Sequence, residues 1–278
     1  MTTKSSIKNG IPLLIGGMHR AGTSLLANLL RQAGLHTGCD LDPNGESLFF
    51  ISRNEWLLEQ AGCRWDNPAH WHEWIAPLQD KAAEQLSITL QRYPARRAFW
   101  GKRICPPPFI EQKQPWGWKD PRNTYTFPIW KKIFPQARML MITRHGVDVA
   151  KSLMVRAESE TQRWRATKTP PPHRLITGSP RCLSIENAFT LWEQYQSAIQ
   201  TVRQNHPNET LLIQYETLVK EPAHCLAQVH AFCDLHPVNQ QIHKQIQSTR
   251  TQAYRKDPEL TAFAQAHAER LQTFGYEP

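Results

Sequence analysis

Residues 11–34, IPLLIGGMHRAGTSLLANLLRQAG, constrain the fold more than any other stretch of this chain. Ile11 to Ile15 is an apolar run of strand length. GGMHRAGTS follows as a turn, and Leu25, Leu26, Leu29 and Leu30 then recur at helical spacing, with Gly34 placed to cap the C-terminus. Strand, glycine-rich turn and helix open a βαβ unit. The pattern returns twice: ARMLMIT (137–143) precedes a helical pattern through Val147, Ala150, Leu153 and Met154, and TLLIQY (210–215) precedes a helix from about Pro222 to Cys233. Ala188, Leu191, Trp192, Tyr195, Ile199 and Val202 share one face of a longer helix that starts near Ser184. Continuous apolar strands alternating with helices predict an α/β fold with a central parallel sheet flanked by helices.

Two stretches break the rhythm. Residues 56–118 hold Trp56, Trp65, Trp71, Trp74, Trp100, Trp116 and Trp118, with Pro106, Pro107 and Pro108 interrupting the chain. They read as part of an inserted helical cap spanning about 42–118, in which most tryptophans pack the cap rather than form a sugar or aryl platform. Residues 156–182 are polar, with Pro170, Pro171 and Pro172 at the centre and no apolar period, and read as a mobile loop or lid. The expected organisation is one domain over 1–278.

The chain of 278 residues carries 33 Lys+Arg against 24 Asp+Glu, a net charge of +9. That excess suits either nucleic acid or a small polyanionic ligand, and the basic blocks are short and separated. No apolar run approaches the ~18–20 residues of a membrane span, and MTTKSSIKNG lacks a signal-peptide core, so a cytoplasmic location is expected. The six cysteines (Cys39, Cys63, Cys105, Cys182, Cys225, Cys233) form no C-x-x-C pair, and no H-E-x-x-H occurs, so no metal is expected. His70 and His72 flanking Trp71 are too few for a metal site.

Gly17-Met18-His19-Arg20-Ala21-Gly22-Thr23-Ser24 has the G-x-x-x-x-G spacing of a phosphate loop. Such glycines let the backbone curl so that successive amides converge on an anion at a helix N-terminus. A nucleotide triphosphatase next needs Lys, then Ser or Thr. Here Thr23 occupies the lysine position and Arg20 lies inside the loop.

On these residues the sequence resembles the sulfotransferases that use 3′-phosphoadenosine 5′-phosphosulfate (PAPS). Their loop, R-[SA]-G-T-[ST]-L-L, is matched residue by residue by Arg20 to Leu26. A second family element, an Arg with a Ser eight residues on, is matched by Arg144 and Ser152, and Arg156 matches a further arginine of the tyrosylprotein branch. Ser152 and Arg156 share a helix face, so both can reach one phosphate. Trp118-Lys119-Asp120-Pro121-Arg122 matches the segment whose lysine contacts the transferring group, and Gln214-Tyr215-Glu216-Thr217-Leu218 resembles one whose tyrosine lies near the adenine. The matches span residues 11–235 and place the chain nearer the tyrosylprotein and bacterial branch than the cytosolic one.

The resemblance implies a P-loop NTPase-like sulfotransferase fold. It also implies sulfuryl transfer by in-line displacement, with PAPS as co-substrate and PAP as product. Gly17, His19, Arg20, Ala21, Gly22, Thr23 and Ser24 would hold the 5′-phosphate end, Arg144, Ser152 and Arg156 the 3′-phosphate, and Tyr215 the base. By analogy with phosphoryl transfer, catalysis is positioning and charge stabilisation, with Lys119 and Arg20 neutralising the developing charge. The acceptor hydroxyl also needs a general base. The histidine that cytosolic members place two residues after the lysine is Pro121 here. DLDPNGESLFFISRNEWLL aligns with a glutamate-bearing family segment, which makes Glu46 the candidate base, with Asp42, His70 and His72 behind it. The acceptor is a hydroxyl of a small molecule, glycan, lipid or peptide.

Two other classes compete. A P-loop kinase would need the lysine that Thr23 replaces and an acidic Mg²⁺ ligand. A nucleic-acid-binding protein would show a steep salt dependence, but these phosphate-gripping residues suit a doubly phosphorylated nucleotide.

Overall fold

The computed structural model describes residues 10–101, 106–168, 178–235 and 251–278. Four strands, β1 (Pro12–Gly17), β2 (Trp116–Lys119), β3 (Arg138–Thr143) and β4 (Thr210–Gln214), form a parallel sheet in the order β2-β1-β3-β4. The chain leaves β1 for β2 on one side and then crosses to β3 on the other, so the strand order reverses between β1 and β3. In open parallel sheets the crevice at the carboxyl ends of two such strands is where ligands bind.

Period-two alternation builds a core on each face of the sheet. Leu13, Ile15, Leu140, Ile142 and Ile213 point to one side, where they meet Leu26, Leu29 and Leu30 of α1 (Thr23–Gln32), Leu218 of α9 (Tyr215–Lys220) and Val229 of α10 (Pro222–Cys233). Leu14, Met139 and Met141 point to the other side, under α6 (Asn123–Ile133), α7 (Gly146–Ala166) and α8 (Ile185–Asn205). Gly34 ends α1 at φ +94°: its amide bonds to Arg31 O at 3.0 Å and the Leu35 amide to Leu30 O at 3.0 Å, the Schellman pattern that glycine favours.

The cap is helical, built from α2 (Leu48–Gln60), α3 (Trp71–Ile75), α4 (Gln79–Gln91) and α5 (Tyr93–Trp100). Trp71, Trp100, Trp116 and Trp118 are buried in it, and Phe50 stacks on Trp118 at 3.8 Å with the ring planes 4° apart. Most of these tryptophans therefore pack, whereas Trp74 is 46% exposed and Trp65 reaches the site described below. The cap ends before residue 116, earlier than its sequence implied: Trp116–Lys119 is β2, an edge strand of the main sheet in register with β1, Leu14 opposite Trp118. Gly117 is required there, because a Cβ would lie 1.8 Å from Leu13 O.

The polar run from 156 also differs from expectation. Residues 156–166 continue α7, stabilised by an Arg156–Glu160 pair one turn apart at 2.8 Å, because a helix with a solvated face needs no apolar period there. Pro170, Pro171 and Pro172 lie outside the described residues. The C-terminal part adds α11 (Pro258–Ala266) and α12 (Ala268–Gln272), the latter tied to α8 by Arg270 contacting Glu186 and Glu193, each at 2.6 Å. No helix among the described residues is long and apolar enough to cross a membrane.

Candidate active site

A cavity of about 940 Å³ opens at the carboxyl ends of β1, β2 and β3. Its floor is the loop between β1 and α1. Gly17 and Gly22 have φ of +119° and +110°, and Arg20 also takes a left-handed φ of 69°. A Cβ on Gly22 would sit 2.8 Å from the Tyr215 ring, so the bare backbone lets that ring close over the loop. Gly22 caps α1 without a side-chain bond, and the first-turn amides of a helix lack intrahelical partners. Such amides and the helix dipole favour an anion.

The loop residues divide by task. Gly22, Thr23, Ser24, His19 and Arg20 line the cavity. Gly17 and Ala21 instead shape it: the Gly17 amide donates to Thr124 Oγ1 at 2.9 Å and the Ala21 amide to Met18 O at 3.2 Å.

Lys119, at the end of β2, is 2 % exposed. Its Nζ donates to Glu46 Oε1 at 2.6 Å, lies 3.3 Å from Ser24 Oγ and 3.5 Å from Asn44 O. The 42–46 turn that brings Glu46 in is set by Asp42, whose Oδ1 accepts from the Asn44 amide at 2.9 Å and the Glu46 amide at 2.7 Å. Ser24 Oγ donates to Asn44 O at 2.8 Å and docks this turn on the loop. Asp42 is thus a scaffold for Glu46. Burial, and the charge of Asp120, raise the Glu46 carboxyl above its ordinary range, against the pull of Lys119 and Arg122. His70 and His72 stand apart: His70 stacks on Trp74 at 4.6 Å, His72 faces Tyr125 at 6.3 Å, and neither lines the cavity.

Arg122 joins the same cluster, with Nη1 3.5 Å from Glu46 Oε2 and 3.0 Å from Asp120 Oδ1, and Nη2 2.8 Å from Glu55 Oε1. Behind it Asn54, fully buried, donates to Asp120 Oδ2 and Asn123 Oδ1 at 2.9 Å and accepts from Thr126 Oγ1 and Trp130 Nε1 at 2.8 Å. All four of its amide positions are satisfied, which fixes α2 to the turn that carries Lys119 and Arg122.

At the other end, Arg144 follows β3. Its Nη2 bonds to Asp148 Oδ2 at 2.9 Å, and its guanidinium lies 4.9 Å from the centre of the Tyr215 ring. Asp148 Oδ1 also accepts the Tyr254 amide at 3.0 Å, which brings residues 253–260 to the cavity wall. Ser152 accepts from Arg20 Nε at 2.9 Å. Arg156, one turn on, pairs with Glu160 and faces Trp65, the one tryptophan of the cap that lines the cavity.

The structure thus gathers Lys119, Glu46, Arg20, Arg144, Ser152, Arg156 and Tyr215 around one cavity. Sequence reasoning missed Arg122 and Asp148. Both were within reach: Arg122 closes the WKDPR run, and Asp148, in the first turn of α7, lies four residues after Arg144.

The sequence profile of the Sulfotransferase family matches residues 12–240. A Caenorhabditis briggsae protein named for protein-tyrosine sulfotransfer is 21% identical over 231 residues, covering 83% of this chain and 68% of its own length. The sulfotransferase domain of the Synechococcus PCC 7002 olefin synthase superposes with a TM-score of 0.50 at 15% identity, over 96% of this chain and 95% of that one. An Alicyclobacillus acidocaldarius sulfotransferase gives 0.49 at 14% identity, over 96% of both chains. With a profile match that runs from β1 past α10 and includes the loop, β2 and β3, this chain belongs to the sulfotransferase family.

Proposed function

We propose that this protein transfers the sulfuryl group of PAPS to a hydroxyl acceptor and releases PAP. The observation that carries the reading is Lys119 Nζ lying 3.3 Å from Ser24 Oγ. The loop lacks a triphosphatase lysine at position 23, and β2 delivers a cation to the same place from another strand. A cation so placed serves a group transferred from a phosphate held on the loop.

The cavity fits a nucleotide with phosphates at both ends. Gly22 leaves room for Tyr215 above the loop, Arg144 and Ser152 supply donors at the second end, and Arg20 bonds to Ser152 between them. In this reading the donor brings the transferable sulfuryl group. Lys119 and Arg20 stabilise negative charge that grows on the leaving oxygen. Glu46 takes the acceptor's proton, its basicity increased by burial. The acceptor hydroxyl belongs to a phenol, sugar, lipid or peptidyl tyrosine that enters past Trp65.

Calorimetric titration with PAP against ATP–Mg²⁺ tests this. Metal-independent PAP binding that Arg144→Ala abolishes supports the reading. ATP–Mg²⁺ binding with PAP ignored overturns it in favour of a phosphotransferase.

A further inference from the structure

His19 has no role in the steps above beyond its place in the loop, yet its surroundings are unusual. It is 7 % exposed, lines the cavity, and its Nε2 is buried without a hydrogen-bond partner. Its ring packs against Trp65 at 4.5 Å and meets Tyr195 of α8 edge-on at 6.2 Å. Four cations act on it, one or two from each polar element around it: Arg20 of the loop, Lys119 and Arg122 at the end of β2, and Arg156 of α7. Burial first, then these charges, hold the imidazole well below its ordinary titration range, so it is neutral at pH 7.

Arginine and lysine have donors only, so none of the four cations can satisfy the ring's N–H. Together they make a positive potential that draws an anion toward the ring. An anion brought there offers acceptors only, so the ring meets it as a donor. A neutral imidazole is suited to this, because it donates without adding a fifth positive charge to the site.

We infer that the His19 imidazole donates a hydrogen bond to the transferring sulfuryl group. This rests on the sulfotransfer reading above and adds a residue to it. Glu46 keeps the acceptor's proton; as the new O–S bond forms, the S–O bond to the 5′-phosphate breaks and its electron pair leaves with PAP. His19 holds an equatorial sulfuryl oxygen throughout and neither gains nor loses a proton.

The test compares PAP with PAPS, which differ by the sulfuryl group alone. In the ¹⁵N-histidine-labelled full chain, the His19 ring resonances, assigned by their loss in His19→Gln, are followed while either nucleotide is added without acceptor. PAPS should shift the ring N–H well beyond the shift caused by PAP. His19→Leu should lower kcat about 100-fold while still binding PAP, which also establishes that the variant folds. His19→Gln, which retains an N–H near Nε2, should recover part of that loss. Equal shifts with PAP and PAPS overturn the inference, as does an undiminished kcat in His19→Leu. An acid limb in the kcat profile that vanishes in His19→Gln would make the ring a proton acceptor instead and also overturn it. Failure of both nucleotides to bind removes the sulfotransfer reading itself, a result the PAP calorimetry reports separately.

Discussion

Arg20 in the phosphate loop donates through Nε to Ser152 in the middle of α7, at 2.9 Å. The bond joins residues 132 apart in sequence and ties the arginine, despite its left-handed φ, to α7 across the cavity. Ser152→Ala removes this anchor together with the proposed phosphate donor. PAP affinity should fall roughly 10- to 100-fold, the range for hydrogen bonds to charged groups. Calorimetry checks this, with thermal unfolding of the free protein nearly unchanged.

Glu46→Gln should lower kcat by about 10²–10⁴ and leave PAP affinity near wild type. Because burial and Asp120 raise the Glu46 carboxyl above 4.5, the acid limb of wild-type activity should lie above the ordinary carboxylate range. That limb should be missing from the residual activity of the variant. A limb that survives the substitution assigns the proton to another group.

Asn54→Leu tests the network behind the site. It strips partners from Asp120 Oδ2, Thr126 Oγ1 and Trp130 Nε1, all in a fully buried setting. Each unsatisfied buried group costs about 1–3 kcal/mol, so urea unfolding should report a loss of roughly 3 kcal/mol or more. A loss below about 1 kcal/mol would mean that the network relaxes around the change.

Acid should destabilise the free protein through its buried histidines. His19 and His145 are both held below 6.5, each chiefly by burial. Below 6.5 the unfolded chain binds protons that the folded one refuses, so stability falls as pH drops from there toward the folded-state values. Urea midpoints at pH 7.5 and 5.5 should differ, and His19→Gln should narrow the difference. A midpoint that rises on acidification contradicts the assignment.

The sheet was legible where strands are continuous apolar runs, as in β1, β3 and β4. β2 was not, because WGWK is four residues long, contains glycine and a lysine, and owes its strand conformation to pairing with β1. The second half of α7 was hidden for a different reason: its residues face water and carry ion pairs instead of an apolar stripe. At the site, Arg20, Lys119, Arg144 and Ser152 follow from short motifs that resemble the family's. Trp65 and the 253–260 segment could not be read this way, since each reaches the cavity through packing between elements distant in sequence. His19 was legible as a loop member, but its ring of four cations exists only in three dimensions.

Asp148 joins Arg144 to the backbone of Tyr254, so one wall of the cavity comes from residues 253–260. On the ribosome the loop between β1 and α1 emerges well before that wall. A nascent chain therefore holds an incomplete pocket until residues 253–260 have been made, and a ligand that needs this wall can help to fold the protein only after that.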